Sequence, residues 1–247
     1  IATAGFDTLS GGADIDTVDF SVLTSGMSAN LATGTYSSAF GSGQMSGIEN
    51  LVGSSQNDTL TGNNASNTIN GGLGNDILNG GGGIDTLSYA GVQAHNFINL
   101  ATGVVTQQWS AQTVGTDTVS NFENVIGGDY SDFIHGNAAN NVINGGDSTD
   151  TLYASLGVDV LDGGTGANDT ADFSDVSVVT ASLATNTYSI DANNFGTLAN
   201  IDHLSGSAGS DTLTGDGANN YLMGAAGADV LAGGLGNDEL WGGAGSD

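Results

Sequence analysis

Large apolar residues recur along most of this chain at one fixed interval, each flanked by small or polar neighbours and preceded by glycines. Residues 71–79 read GGLGNDILN, 80–88 read GGGGIDTLS and 233–241 read GGLGNDELW. Counting the first Gly as position 1, the large residue stands at position 8. That column is Leu9, Val18, Leu60, Ile69, Leu78, Leu87, Ile134, Ile143, Leu152, Leu161, Leu213, Leu222, Leu231 and Leu240, with small Ala171 beside a one-residue insertion. Positions 7 to 9 alternate outward, inward, outward, the pattern of a short strand with one buried side chain. A repeat of fixed short period predicts strands stacked into one thin continuous core, hence an all-β solenoid.

The beat runs through residues 2–19, 53–88, 127–172 and 206–247. Three spacers separate these runs and resemble one another. Each opens just past a strand (Phe20-Ser21, Tyr89-Ala90, Phe173-Ser174), continues through Leu31-Ala32-Thr33-Gly34, Leu100-Ala101-Thr102-Gly103 or Leu183-Ala184-Thr185-Asn186, and closes with GIENLVGS, NFENVIGG or NIDHLSGS. The expected organisation is one continuous solenoid in four parts. Residues 1–52 hold a short repeat pair and a spacer, 53–126 and 127–205 each a run and a spacer, and 206–247 a last run. The chain starts at a repeat boundary and stops inside a turn, so it reads as a piece of a larger protein.

Position 6 carries the chemistry. It is Asp in thirteen of sixteen turns: Asp7, Asp16, Asp58, Asp76, Asp85, Asp132, Asp150, Asp159, Asp169, Asp211, Asp229, Asp238 and Asp247. Asn67, Asn141 and Asn220 fill the other three, in turns that also lack Gly at position 4. Glycine at positions 1, 2 and 4 permits positive φ and close backbone approach, so a turn can aim several carbonyl oxygens to one side. Carbonyls and carboxylates are hard donors that suit Ca²⁺, with its six to eight ligands and tolerant geometry. Mg²⁺ demands a tighter octahedron. Zn²⁺ fits worse still, because the chain has no Cys and its three His (His95, His135, His203) are far apart in sequence.

Composition agrees. The chain has no Lys, Arg, Cys or Pro, and its formal net charge is −27. Without a basic residue it cannot bind nucleic acid by counterion release, and its charge disfavours anionic membrane surfaces. Its apolar runs are too short to insert in a membrane. Disulfides are impossible, so any cross-linking comes from elsewhere. If each nonapeptide is half a coil, same-side turns lie 18 residues apart. Asp58 then stacks with Asp76, Asn67 with Asp85, Asp132 with Asp150 and Asp169, and Asp211 with Asp229 and Asp247. An ion between stacked turns meets an Asp from each, and weaker binding is expected at the Asn turns.

These residues resemble the RTX (repeats-in-toxin, haemolysin-type calcium-binding) nonapeptide GGxGxDxUx, a calcium-binding β-solenoid repeat. The spacers are similar to the LATG and IEN linkers between such arrays in large secreted bacterial surface proteins. The resemblance implies a parallel β-roll with Ca²⁺ between Gly- and Asp-rich turns, disorder without calcium, folding outside the cell, and type I export. The expected metal residues are the thirteen position-6 Asp together with Gly72, Gly74, Gly81, Gly83, Gly234 and Gly236.

Blander readings stand beside these. The Asp column could be solvated acid on a calcium-free solenoid. The three His read as structural or surface residues. Glu49, Glu123 and Asp202 share a spacer column, as strand-end polar residues or as accessory ligands. Trp109, Trp241 and Tyr153 read as packing residues or sugar-stacking platforms. No nucleophile, base or cleft-forming domain is visible.

The sequence therefore reads as a non-catalytic, calcium-binding structural segment of a large extracellular or cell-surface bacterial protein, such as an S-layer or adhesin. It is expected to fold and stiffen on Ca²⁺ for display or assembly. The alternative is the C-terminal tail of a secreted protease, lipase, epimerase or pore-former. Expected partners beyond calcium are copies of itself head to tail, other surface proteins or glycans. Ile1 is at position 9 and Asp247 at position 6, so two added residues would keep successive copies in register.

Overall fold

The structure, a computed structural model, describes residues 5–109 and 112–247. The start of the first turn, residues 2–4, and the register position of Ile1 lie outside the described residues. Among the described residues there is no helix. The chain forms two compact units, Ile1–Gly128 and Asp129–Asp247.

In the first unit the strands are β1 (Gly5–Ser10), β2 (Thr17–Asp19), β3 (Met27–Asn30), β4 (Thr35–Ser38), β5 (Gly41–Ser46), β6 (Asn50–Val52), β7 (Thr59–Thr61), β8 (Thr68–Asn70), β9 (Ile77–Asn79), β10 (Thr86–Ser88), β11 (His95–Asn99), β12 (Val104–Trp109), β13 (Gln112–Ser120) and β14 (Asn124–Ile126). Repeat strands occupy positions 7–9 because the Gly-rich turn takes up the rest of each nonapeptide. Successive strands go to opposite sheets, so strands two repeats apart pair in parallel. Leu60 faces Leu78 across β7 and β9, and Ile69 faces Leu87 across β8 and β10. One sheet of the unit runs β1-β5-β4-β3-β7-β9-β13-β12-β11 and the other β2-β6-β8-β10-β14.

The second unit contains β15 (Phe133–His135), β16 (Val142–Asn144), β17 (Thr151–Tyr153), β18 (Val158–Asp162), β19 (Thr170–Asp172), β20 (Thr180–Ser182), β21 (Thr187–Ser189), β22 (Phe195–Ala199), β23 (His203–Ser205), β24 (Thr212–Thr214), β25 (Tyr221–Met223), β26 (Ala226–Gly227), β27 (Val230–Ala232), β28 (Glu239–Trp241) and β29 (Ala244–Gly245). Its sheets run β15-β17-β19-β23-β25-β28 and β16-β18-β22-β21-β20-β24-β27, and β26 pairs with β29.

The spacers change the expected all-parallel stacking. Each is a three-stranded antiparallel meander, β3-β4-β5, β11-β12-β13 or β20-β21-β22. Its outer strands still pair in parallel with repeat strands, as β5 does with β1 and β22 with β18. The LATG and LATN segments turn the first hairpin of each. Gly34, Gly103 and Asn186 adopt left-handed φ of 65°, 71° and 57° there, which glycine and asparagine tolerate best.

The position-8 column is the core. Leu60, Ile69, Leu78, Leu87, Ile134, Ile143, Leu152, Leu161, Leu213 and Leu222 have no accessible surface. Burial falls off at Leu9, Val18 and Leu231, and Leu240 is exposed. Spacer residues continue the column, with Met45, Leu51, Val119, Val125, Leu198 and Leu204 all buried.

Candidate metal centre

Stacking of like turns brings the position-6 carboxylates into two columns per unit, and most of them are buried. Asp58, Asp76, Asp85, Asp132, Asp150, Asp159, Asp169, Asp211 and Asp229 are all under 5% exposed. Asp7, Asp16 and Asp238 are half-buried and Asp247 is exposed. The picture of solvated acid on the turns therefore does not describe the middle of either unit.

One hydrogen bond repeats up each column. The Oδ1 of a position-6 Asp accepts the backbone N–H of position 6 in the coil before it. Asp76 accepts from Asp58 (2.8 Å), Asp85 from Asn67 (2.8 Å), Asp150 from Asp132 (2.8 Å), Asp169 from Asp150 (2.7 Å), Asp159 from Asn141 (2.9 Å), Asp229 from Asp211 (2.8 Å), Asp238 from Asn220 (3.0 Å) and Asp247 from Asp229 (3.1 Å). The pairs expected from an 18-residue step are thus brought together.

The spacers belong to the same columns. Glu49 Oε2 accepts from Asp16 N–H (2.9 Å), Glu123 Oε2 from Asp85 N–H (2.9 Å), Asp202 Oδ2 from Asp169 N–H (3.1 Å) and Asp117 Oδ1 from Asp76 N–H (2.9 Å). Asp117 escaped the sequence reading. Its signal was present in Gly115-Thr116-Asp117-Thr118-Val119-Ser120, which matches positions 4 to 9 of the beat. In the other two meanders the equivalent place is Gly43, opposite Asp7, and Gly196, opposite Asp159. There Tyr36 and Tyr188 fill the space a side chain would take, with ring atoms 2.7 and 2.6 Å from where a Cβ would stand. At these two places the meander presents a tyrosine hydroxyl, of Tyr36 to Asp7 and of Tyr188 to Asp159, rather than a carboxylate.

The second carboxylate oxygen sorts the turns. Where position 2 is Ser, it is satisfied within the turn. Ser54 N–H reaches Asp58 Oδ2 at 2.5 Å, Ser207 N–H reaches Asp211 Oδ2 at 2.6 Å, and Ser155 Oγ reaches Asp159 Oδ2 at 3.0 Å. Where position 2 is Gly or Ala, the Oδ2 atoms of Asp16, Asp76, Asp150, Asp169 and Asp229 are buried without a hydrogen-bond partner. A buried anionic oxygen without a donor is costly. An ion with hard-oxygen preference is the group that fits it.

Burial shows in the proton affinities as well. The Asp76 carboxyl is pushed up to about 8, first by burial and then by Asp117 and Asp58. Asp150 is pushed to about 7, by burial and then by Asp132, Asp169 and Asp147, and Asp117 to about 6 by burial. Burial also raises Asp58, Asp85, Asp159 and Asp169. The chain has no Lys or Arg to offset this.

Backbone oxygens crowd the same turns. Gly72 and Gly74 take φ of 90° and 134°, and their Cβ atoms would lie 2.1 Å from Ser54 O and 2.8 Å from Gln56 O. Gly81 and Gly83 approach Asn63 and Ala65 in the same way, and Gly234 and Gly236 approach Asp216 and Ala218. Glycine is what allows each of these turns to pack directly against the carbonyls of the turn beneath it. Among the described residues no three His, Asp or Glu side chains converge enough to hold a metal alone. Each coil contributes one carboxylate per side, so an ion held there would need backbone oxygens as well.

The RTX calcium-binding nonapeptide repeat model (four copies) matches residues 1–20, 46–87, 126–161, 146–170, 198–231 and 223–247. The chain belongs to this RTX family. No curated protein matches it. RTX nonapeptide repeats bind multiple Ca²⁺ ions, and the parallel coils with their Gly-Asp turns are an RTX β-roll.

The histidines of this RTX chain sit away from the columns or on outer faces. His135 Nδ1 pairs with Asp175 Oδ2 at 2.7 Å, and its ring stacks on Tyr153 at 3.7 Å. His203 Nδ1 accepts the Tyr221 N–H at 3.1 Å. Trp109 and Trp241 are exposed on strand ends.

Proposed function

We propose that this segment is a calcium-driven structural element of a secreted or surface-displayed bacterial protein, without catalytic work of its own. It is largely unfolded where calcium is scarce, and folds and stiffens where calcium is millimolar. The observation that carries this reading is the set of buried position-6 carboxylates whose Oδ2 atoms lack donors, in a chain with no cation to neutralise them.

The residues we assign to calcium are Asp58, Asp76, Asp85, Asp132, Asp150, Asp159, Asp169, Asp211, Asp229, Asp238 and Asp247, with Gly72, Gly74, Gly81, Gly83, Gly234 and Gly236 shaping the carbonyl cage. Asp16 joins through Glu49, and Asp7 is the weakest candidate. The Asp side chains hold position by Oδ1, and those of Asp16, Asp76, Asp150, Asp169 and Asp229 keep an Oδ2 with no donor for the ion. Bound calcium supplies positive charge that turns the repulsion between stacked carboxylates into a cross-link between coils. Because only the folded stack aligns the oxygens, ion binding adds directly to folding free energy. Display or assembly at a cell surface suits a segment stiffened in this way, with surface proteins, glycans or further copies as partners.

Far-ultraviolet circular dichroism with millimolar Ca²⁺ and with excess EGTA tests the reading. The expected result is a β spectrum with calcium and loss of most of it in chelator. An unchanged spectrum in EGTA would overturn it.

A further inference from the structure

The middle spacer holds an arrangement that neither of the others has. Gln107, on β12, lies opposite Gly115 on β13, with its side chain completely buried. Its Nε2 donates to the carbonyl of Gly72 at 2.7 Å. Its Oε1 has no partner. The hydrogen bond fixes which end is which, since only the amide nitrogen can donate to a carbonyl.

Ordinary turns show what this bond replaces. The position-3 N–H of one turn donates to the position-2 carbonyl of the turn beneath it. Gly82 donates to Asn63 (2.8 Å), Thr165 to Gly146 (2.8 Å), Leu235 to Asp216 (2.9 Å) and Ala244 to Ala225 (2.9 Å). Gly72 is a position-2 residue, but the coil above it is the β12–β13 hairpin. There β13 runs extended through Gln112–Ser120, where a repeat would make a turn. The side-chain amide of Gln107 makes the missing bond.

The rest of a turn's donors are also present. Gly115 stands at position 4, and its Cβ would meet Gly74 O at 2.1 Å and Gln107 Oε1 at 2.3 Å. Both oxygens therefore border the space that glycine leaves open. Asp117 stands at position 6, accepting the Asp76 N–H through Oδ1 and the Tyr89 hydroxyl through Oδ2 at 2.6 Å. Beneath it, Asp76 Oδ2 is buried and unpartnered.

We infer that the middle spacer forms a divalent-cation site of its own, a calcium site between turn 71–76 and the β12–β13 hairpin. In it the Gln107 amide acts as the peptide group joining positions 2 and 3, with Oε1 as the position-2 carbonyl. Asp76, Asp117 and the Gly74 carbonyl supply further oxygens, all of the hard type calcium takes. The hairpin thus carries the ion column across a spacer that interrupts the repeat. The first and third spacers carry Gly43 and Gly196 in place of Asp117, with a tyrosine in the space, and they have no such site. This inference rests on the calcium reading proposed above.

Crystals of the chain grown in millimolar CaCl₂ and measured at long wavelength locate each calcium by anomalous scattering. The expected map has a peak within about 2.3–2.6 Å of Gln107 Oε1. In Gln107→Met and in Asp117→Asn that peak is lost, while those between turns 53–58 and 71–76 remain. Peaks between nonapeptide turns with none at Gln107 in the wild-type map overturn the inference and leave the calcium reading intact. A map with no calcium anywhere overturns both. The wild-type map decides even if a variant fails to fold.

Discussion

Asn220 donates its side-chain amide to the backbone carbonyl of Asp202, 2.9 Å away, in a column otherwise built of acceptors. Asn67 makes the same bond to the carbonyl of Glu49 at 2.8 Å. The cause lies in the spacer. The N–H groups of Glu49 and Asp202, which a column carboxylate would accept, are already turned to the carbonyls of Asp16 and Asp169, at 3.0 and 2.9 Å. What remains facing the next coil is a carbonyl, so a donor is needed there.

Asn220→Asp should therefore destabilise the chain even in saturating calcium. It places a carboxylate oxygen against the Asp202 carbonyl and loses a buried hydrogen bond, at a cost of about 1–3 kcal/mol. Urea denaturation in millimolar Ca²⁺ measures it. If the Asn turns were simply degenerate calcium sites, restoring Asp would instead raise the midpoint and the calcium count.

Gly196 is held to glycine by its neighbours. A Cβ there would lie 2.1 Å from the carbonyl oxygen of Asp159 and 2.6 Å from Tyr188 Cε1. The ring can move but the carbonyl is locked in the β18–β22 ladder. Gly196→Ala should cost about 1–3 kcal/mol as an overpacking change, and adding Tyr188→Ala should fail to recover it. Thermal melts of the single and double variants decide this. Recovery in the double variant would place the constraint on the tyrosine instead.

The beat made the repeat strands, the position-8 core and the 18-residue pairing of carboxylates legible, because each depends on local period alone. The meanders were less so. Asp117 lies 41 residues beyond Asp76, since a hairpin intervenes, and a search at constant step passes over it. Glu49, 33 residues beyond Asp16, was legible only as a member of a column shared by the three spacers, with its role open. The role of Asn67 and Asn220 was hidden for a different reason. It depends on where the N–H of a residue in another coil is spent, which no spacing reveals. Gln107 gave no signal at all, because its amide serves in place of a backbone group.

Core substitutions should follow the position-8 column and its ends. Leu152 has no accessible surface, whereas Leu240 is 47% exposed on the last full repeat strand. With one inward side chain per strand, a cavity at Leu152 cannot be refilled from the same coil. Leu152→Ala should cost about 2–5 kcal/mol, and Leu240→Ala much less. Denaturation of both in calcium, at the same protein concentration, gives the ratio. Equal losses would mean that the end of the chain is as well packed as its middle.

Metal-free protein should gain structure in acid. Burial raises Asp76 to about 8, Asp150 to about 7 and Asp117 to about 6, against about 3.9 for an Asp in the unfolded chain. The folded state then binds more protons than the unfolded one. Its contribution to stability is full below about pH 3.9 and is lost as pH rises through about 6 to 8. Circular dichroism of protein stripped of calcium, titrated from pH 9 to pH 5 in decalcified buffer, should show β content rising. Chelator is left out because EGTA weakens in acid. With calcium present the sign reverses, because protons compete for the same oxygens, so the calcium midpoint should move to higher concentration over that range. A metal-free chain that loses β structure on acidification would mean that these carboxylates are not buried together when the ions are absent.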